Sequence, residues 1–416
     1  MRTLILLFLF YPAVFGALKF VQIWFRHGER TPGHYIYFPE DDKNNTEWQQ
    51  IAWPGELTKR GIYEEFKLGK RLRELYGDHF GDTYRPNDFH VYTGVDNRTS
   101  ASAQAMFAGF MPPNKDQQWS PDLLWQPIAQ ETDASIDWVS LGAIDNCPVY
   151  GENQRQSSEY AGVMEKMGEY DPELMELVRR HAGEPITEAV TYNRVIDSLK
   201  VRYILQDKRL AYPTWAAGFE HRVFNMSFLI HDAIVKIQNT TVGDYHNELI
   251  VSYFETHLLR NKTKGVFVSG HDTNLVTIWE SLRLDGHPED IPNYGAHIAI
   301  EMHEDYGQLS LKFFLAMGFN QTRVELFPHF CSRSQAGGCE WEEFKALTLK
   351  SRKPKSDWIY ECQGYEKTTE PVSTLTGSMI VLLSILLLST IILGFTTFSY
   401  KRQLNNLRDP ERTRLL

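Results

Sequence analysis

Apolar residues recur along this chain with two different periods, and the switches between them mark out its elements. Lys19-Phe20-Val21-Gln22-Ile23-Trp24-Phe25 is β-branched and aromatic over a strand's length and stops abruptly at Arg26-His27-Gly28, which predicts a buried strand ending at His27. Leu57 to Tyr76 carries Ile62, Phe66, Gly69, Leu72, Leu75 and Tyr76 at helical spacing among many charges, the pattern of an amphipathic helix. Phe89-His90-Val91-Tyr92-Thr93 reads as a second strand, followed by the loop residues Gly94-Val95-Asp96-Asn97 and then Arg98. Thr99 to Phe110 reads as a helix stopped by Met111-Pro112-Pro113, because proline cannot continue it. Gly265-Val266-Phe267-Val268-Ser269 reads as a third strand, running into Gly270-His271-Asp272 and a helical pattern from Thr273 to Leu284. All three units have one form: strand, sharp polar turn, helix.

From about Tyr150 to Leu259 the composition turns charged with helical periodicity, as in Tyr160-Val163-Met164-Met167 and Val195-Leu199-Tyr203. This predicts a mostly helical lobe, spanning about 150–259, inserted into an α/β domain. After Gly295 the alternation His297-Ile298-Ala299-Ile300-Glu301, a turn at Tyr306-Gly307, and Leu309-Ser310-Leu311-Lys312-Phe313 predict a hairpin. The expected fold class is α/β, an open mixed sheet flanked by helices with that lobe inserted. No internal repeat or low-complexity block interrupts it.

The chain ends add a topology. Met1-Arg2-Thr3, the apolar run Leu4 to Phe10, and small residues at Val14, Gly16 and Ala17 have the three regions of a signal peptide, cleaved after Gly16 or Ala17. From Met379 to Phe398 about 20 residues are broken only by hydroxyls and one glycine, the length of a bilayer core. Lys401 and Arg402 follow, and cytoplasmic retention of positive charge orients the bulk of the chain to the lumen or the outside. The expected division is a signal peptide over 1–16, a lumenal or extracellular domain over 17–367, a stalk over 368–377, a single transmembrane helix over 378–400, and a cytoplasmic tail over 401–416. That tail ends Glu411-Arg412-Thr413-Arg414-Leu415-Leu416, which resembles an acidic dileucine sorting signal for endosomes and lysosomes; a plain solvated tail is the competing reading.

Composition narrows the chemistry. At 416 residues and 42% apolar the chain is globular rather than disordered, and a formal charge of −10 argues against a nucleic-acid binder. An anionic substrate would need locally concentrated arginine. Cys147, Cys331, Cys339 and Cys362 all lie in the expected lumenal part, where disulfides persist. Three pairings are formally open; Cys331 and Cys339 flank Gly337-Gly338 and can close a short loop, which would leave Cys147 to Cys362 as a long staple. Sequons at Asn44, Asn225, Asn239, Asn261 and Asn320 are expected to carry glycans. A sixth, at Asn97, is expected to stay bare, because a glycan beside Arg98 would crowd a cleft.

In open α/β sheets ligands bind beyond the carboxyl ends of the strands, where all three polar turns fall. They would bring together Arg26, Arg30, Arg98, His27, His271 and Asp272. Three guanidiniums can hold the nonbridging oxygens of a phosphoryl group. An in-line imidazole can attack phosphorus, and a carboxyl group kept protonated at mildly acidic pH can protonate the leaving alkoxide and then act as base toward water. Arg26-His27-Gly28-Glu29-Arg30-Thr31-Pro32 has a chance frequency on the order of one in ten thousand as an Arg-His-Gly-x-Arg-x-Pro match. His-Asp recurs at His231-Asp232, but inside the helical run Phe228 to Val235 with no strand and glycine ahead, and there it reads as structural. With no His-Glu-x-x-His, Cys-x-x-Cys or Gly-x-Ser-x-Gly pattern, neither a metal or other cofactor nor serine-hydrolase chemistry is expected.

With that motif and a later His-Asp pair, the sequence resembles the histidine acid phosphatases, a branch of the histidine phosphatase superfamily. The resemblance implies His27 as nucleophile, Asp272 as proton donor, and phosphate contacts at Arg26, Arg30, Arg98 and His271. It extends to Leu57-Thr58-Lys59-Arg60-Gly61 and Arg98-Thr99, and to the membrane-anchored lysosomal and prostatic type, which implies Cys147–Cys362 and a Cys331 bridge to its near neighbour. The chain departs from the family at Gly94 and Asn97, where relatives carry Thr-Asp-x-Asp-Arg. The expected function is a membrane-anchored acid phosphatase acting on a small phosphate monoester. A phytase-like inositol-polyphosphate phosphatase is the runner-up, disfavoured by His34-Tyr35-Ile36-Tyr37 and Glu40-Asp41-Asp42 after the motif. A catalytically inactive receptor or adhesion ectodomain is the reading from another class, and a homodimer is left open.

Overall fold

The computed structural model describes residues 16–42, 44, 46–138, 147–239, 243–260, 262–286, 290–334, 337–349, 355–364 and 372–408. The expected signal peptide, Asn261 and the dileucine-like end of the tail lie outside the described residues, as does the side chain of Asn239.

Strands β1 (Ala17–Arg26), β2 (Phe89–Thr93), β3 (Glu131–Thr132), β4 (Gly265–Gly270), β5 (His297–Asp305), β6 (Gln308–Ala316), β7 (Val324–Leu326) and β8 (Cys339–Glu340) form one sheet. Its order is β3-β2-β4-β1-β5-β6-β7, with β8 also paired to β6. β1 to β4 run parallel, whereas β5 onward is antiparallel, the mixed sheet that the sequence led us to expect. Every residue of β4, and β1 from Phe20 on, is buried. That explains why both read as nearly continuous apolar runs: parallel strands covered on two faces have no polar side. Phe25 and Thr93 both pair with Ser269, and Arg26 with Gly270, so the three polar turns leave the sheet side by side at one edge.

The helices that follow β1 and β2 pack against each other. α1 (Lys59–Phe80) begins where Thr58 Oγ1 accepts from Gly61 N at 3.0 Å, an N-cap, and α2 (Asn97–Phe110) carries Arg98 in its first turn. A Cβ at Gly69 would collide with the Met106 carbonyl, and one at Gly109 with the Phe66 carbonyl, so the two helices meet backbone to backbone at their glycines. α1 runs past Gly77, further than the apolar pattern indicated. Phe80 is fully buried among Phe89, Phe110 and Phe267 at ring separations of 5.4–5.8 Å. Such burial contributes about 1.5–3 kcal/mol, more than the roughly 1 kcal/mol a helical glycine costs. The inward face also differs: Ile62 is exposed, while Glu64 and Glu65 are buried beside Leu68 and Leu72.

The helical lobe comprises α3 (Pro148–Arg155), α4 (Ser158–Tyr170), α5 (Pro172–His181), α6 (Ala189–Leu205), α7 (Glu220–Asn239) and α8 (Gly243–Tyr253), the last continued by a π-helical segment at Phe254–Arg260. Tyr192, Val195, Leu199, Met226 and Ile230 centre its core, and Ile36 and Phe38 from the loop after the motif are part of it. α9 (Asp272–Ser281) follows β4. The β5–β6 hairpin turns at Tyr306 (φ 47°) and Gly307 (φ 81°), two left-handed residues as a type I′ turn demands. α10 (Trp341–Thr348) follows β8.

The chain divides into two compact units, one through Pro354 and one from Lys355. The second contains α11 (Lys355–Gln363) and α12 (Val372–Arg408). Side chains of α12 are described only from Ile385, inside the expected span. Among the described residues no helix is long and apolar enough to cross a membrane, so the transmembrane helix expected over 378–400 has no structural support. Cys331 is bonded to Cys339, as expected, and Cys147 and Cys362 are likewise disulfide-bonded.

Candidate active site

His27 stands where β1 leaves the sheet, with its backbone N–H donated to Gly270 O at the end of β4 (3.0 Å). Its Nδ1 lies 2.8 Å from the Gly28 carbonyl. A carbonyl only accepts, so Nδ1 carries the hydrogen and Nε2 keeps the lone pair. The ring lines an open cavity of about 410 Å³ together with Arg30, Arg98, His271 and Asp272. Five of the six expected residues thus share one wall, drawn from three separate turns.

The sixth, Arg26, does not line that cavity. It lies behind it, with Nη2 2.8 Å from Asp272 Oδ2, Nη1 donating to Pro292 O at 2.6 Å, and its guanidinium 4.3 Å from the centre of the Tyr294 ring. Asp272 also opens α9, and its Oδ1 accepts from Thr273 N at 2.9 Å, a position where a helix favours negative charge. Arg30 is gripped at both Nη atoms by Asp197 of α6, and Arg98 is paired with Asp96. The Nε–H groups of Arg26, Arg30 and Arg98 are all buried without an acceptor. Arg30 and Arg98 lining the cavity, with Arg26 behind it, give the site the charge that favours an anion.

Electrostatics set His27 and Asp272 apart. Burial, then Arg98, Arg26, His271 and Arg30, push the His27 imidazole well below its ordinary value, so it remains neutral in mild acid. Burial and the neighbouring Arg30 also lower the Arg98 guanidinium. For Asp272 burial acts upward, but Arg26 foremost, with His231 and Lys200, holds the carboxyl well below the usual range. Where a protonated Asp272 was expected, Arg26 beside it favours the carboxylate.

Four residues that were not expected at the site complete the surroundings. Asp137, from the short 3₁₀ helix after β3, places Oδ1 2.9 Å from His271 Nε2 and accepts from Val95 N through Oδ2 at 2.5 Å. A Cβ on residue 94 would collide with that carboxylate, so Gly94, noted as a departure, makes the room. Asp197 and Lys200 stand one helical turn apart on α6; burial lowers the Lys200 ammonium to about 8. His231, read as structural, belongs to α7 as expected, yet it lines the cavity with Nε2 3.8 Å from Asp272 Oδ2. Only its spacing of four from Ser227, whose carbonyl takes its Nδ1 hydrogen at 2.8 Å, hinted at an inward face.

The acidic stretch after the motif is also corrected. Asp41 pairs with the buried Arg202 at 2.7–2.8 Å, and Glu40 accepts from Thr214 N at 2.9 Å and Thr214 Oγ1 at 2.5 Å. Both fasten the loop to the lobe and neither lines the cavity. Asn97 is exposed and donates to Glu56 at 3.2 Å, while Asn44, Asn225 and Asn320 are exposed.

Known proteins are similar to this chain in sequence and in fold. The family described as histidine phosphatase superfamily (branch 2) matches residues 17–209. The lysosomal acid phosphatase of Rattus norvegicus is 28% identical over 401 residues, 91% of this chain and 89% of that protein. Venom acid phosphatase Acph-1 of Apis mellifera is 27% identical over 78% of this chain and 81% of its own length, and rat prostatic acid phosphatase 25% over 85% and 91%. Among solved structures, Hafnia alvei phytase in complex with myo-inositol hexakis sulphate has a TM-score of 0.56 at 17% identity, covering 82% of this chain and 98% of that one; this likeness is one of fold. Residues 17–209 thus match the histidine phosphatase superfamily (branch 2), and over most of its length the chain is similar to lysosomal and prostatic acid phosphatases.

Proposed function

We propose that this protein is an acid phosphatase, hydrolysing phosphate monoesters to an alcohol and inorganic phosphate through a phosphohistidine at His27. The observation that carries the reading is a neutral His27 with Nε2 free beside guanidiniums whose Nε–H groups lack acceptors. The relatives named acid phosphatases support it.

In this reading Arg30, Arg98 and His271 take the nonbridging oxygens, and Arg26 adds its charge from behind. The Nε2 lone pair forms the N–P bond as the ester P–O bond breaks, and the electron pair left on the ester oxygen takes a proton from Asp272. Asp272 must gain that proton as substrate binds. The phosphoryl charge offsets Arg26, and near its second pKa of about 6 the ester itself carries a proton. In the second half, water attacks phosphorus, its proton passes to Asp272, and the N–P bond breaks to return the pair to Nε2.

Labelled phosphate should be trapped on the wild-type chain during turnover and be absent from His27→Ala. A wild-type enzyme that turns over without ever carrying label would overturn the covalent route. A phytase-like preference for inositol polyphosphates is the second reading, favoured by the engagement of Glu40 and Asp41 with the lobe, which removes the acidic rim that counted against it. Faster turnover of phytate than of simple aryl phosphates would decide for it. The names of the lysosomal and venom relatives support a lysosomal or extracellular setting, and the apolar run alone supports an anchor at 378–400.

A further inference from the structure

We infer that His231 is a relay residue that stores the proton Asp272 delivers to the leaving group, so that the acid of this site is a carboxyl–imidazole pair shared between sheet and lobe. The inference rests on the proposed phosphatase reaction and concerns where its proton resides.

Geometry points to it first. Both side chains are buried in the cavity wall, with His231 Nε2 3.8 Å from Asp272 Oδ2. Because His231 Nδ1 donates to the Ser227 carbonyl, the only nitrogen that can take up or release a proton is Nε2, and it faces the carboxylate. The same oxygen, Oδ2, is held by Arg26 Nη2 at 2.8 Å, which favours the carboxylate over the protonated form that a leaving alkoxide requires. Imidazole is a side chain that can both take up and release a proton, and this one stands 3.8 Å from the group that must be reprotonated.

The groups facing His231 come from four elements. Burial foremost, with Lys200 of α6 and Arg26 of β1, lowers the His231 imidazole below its ordinary value, while Asp272 of α9 and the Ser227 carbonyl on its own helix act to keep its proton. Asp197 of α6 is a further negative neighbour, whereas Asp232 is engaged by Lys236 at 2.9 Å. Lys200 Nζ donates to Ser227 Oγ at 2.9 Å, so cation and imidazole hang on one residue and keep their separation.

When a phosphoryl group draws charge from Arg26, Oδ2 is released. An approach of about 1 Å brings the pair to hydrogen-bond distance, and the proton moves from His231 Nε2 to Asp272 Oδ2. As the ester P–O bond breaks, Asp272 passes that proton to the departing oxygen. In hydrolysis of the phosphohistidine, the proton released by water returns through Asp272 to His231 Nε2. Protons balance over the cycle and no electron leaves the system.

The test uses the full chain, wild type and His231→Gln, with an alkyl phosphate and p-nitrophenyl phosphate between about pH 4 and 7. The variant should lose about ten- to hundredfold in kcat on the alkyl ester, retain nitrophenyl turnover within about threefold, and lose the limb along which wild-type kcat falls as pH rises. His231→Phe, which keeps the volume but no proton, should behave likewise, and retained nitrophenyl turnover shows that each variant is folded. Equal losses on both esters, or an unchanged limb, would overturn the relay. A wild-type chain inert to both esters would overturn the phosphatase reading itself, and the relay with it.

Discussion

Arg30 Nη1 and Nη2 reach Asp197 Oδ2 and Oδ1 at 3.1 Å each, a two-point clamp between the motif turn and the helical lobe. Burial acts to raise the Asp197 carboxyl, but Arg30 and then Lys200 bring it down to about 2. The clamp fixes Arg30 in the cavity wall before substrate arrives.

The clamp makes a pH prediction. An unfolded aspartate titrates near 3.9, so the stability this pair contributes is fully present above about pH 3.9 and is lost as pH falls through about 2. Asp197→Asn should lower stability by about 2–3 kcal/mol at pH 5. In thermal melting the gap from wild type should close as pH approaches 2; a gap constant with pH would show that the carboxylate's charge is not what matters.

His27→Ala should reduce kcat on an aryl phosphate by several orders of magnitude with little change in melting temperature, because the ring's one recorded hydrogen bond is to its own neighbour's carbonyl. Substantial residual turnover would exclude His27 as the nucleophile.

Asp272→Ala should slow substrates with poor leaving groups far more than nitrophenyl esters, since only the former need the proton. It also strips Arg26 of its 2.8 Å partner, so stability should fall by about 3 kcal/mol. Comparable losses of kcat on both substrates would assign Asp272 a structural role alone.

Gly94→Ala should displace Asp137 from His271, because the new methyl meets the Asp137 carboxylate. Overpacking of this kind costs about 1–3 kcal/mol. The expected signature is a raised KM for phosphate esters, and the double variant Gly94→Ala/Asp137→Ala should recover stability but not KM. A Gly94→Ala enzyme indistinguishable from wild type would show that the loop yields without cost.

The catalytic motif and the fold class were legible in the chain because both are local. A strand buried on two faces must be a continuous apolar run, and a group placed at its end must follow it directly in sequence, as His27, Arg98 and His271-Asp272 do. The hairpin at Tyr306-Gly307 was legible for the same reason, its register being set within a few residues. Tertiary structure decided what is assembled across distance: that Asp137, Asp197 and His231 close around the motif, that Arg26 turns from the cavity to hold Asp272, and that Glu40 and Asp41 face the lobe. An amphipathic helix announces which residues face inward, but not what they meet there. A histidine on α7 therefore looks the same in sequence whether it packs in a core or stands 3.8 Å from a carboxylate. The charge state of Asp272 belongs to the same category, since it is set by the neighbours that folding places around it rather than by its own place in the chain.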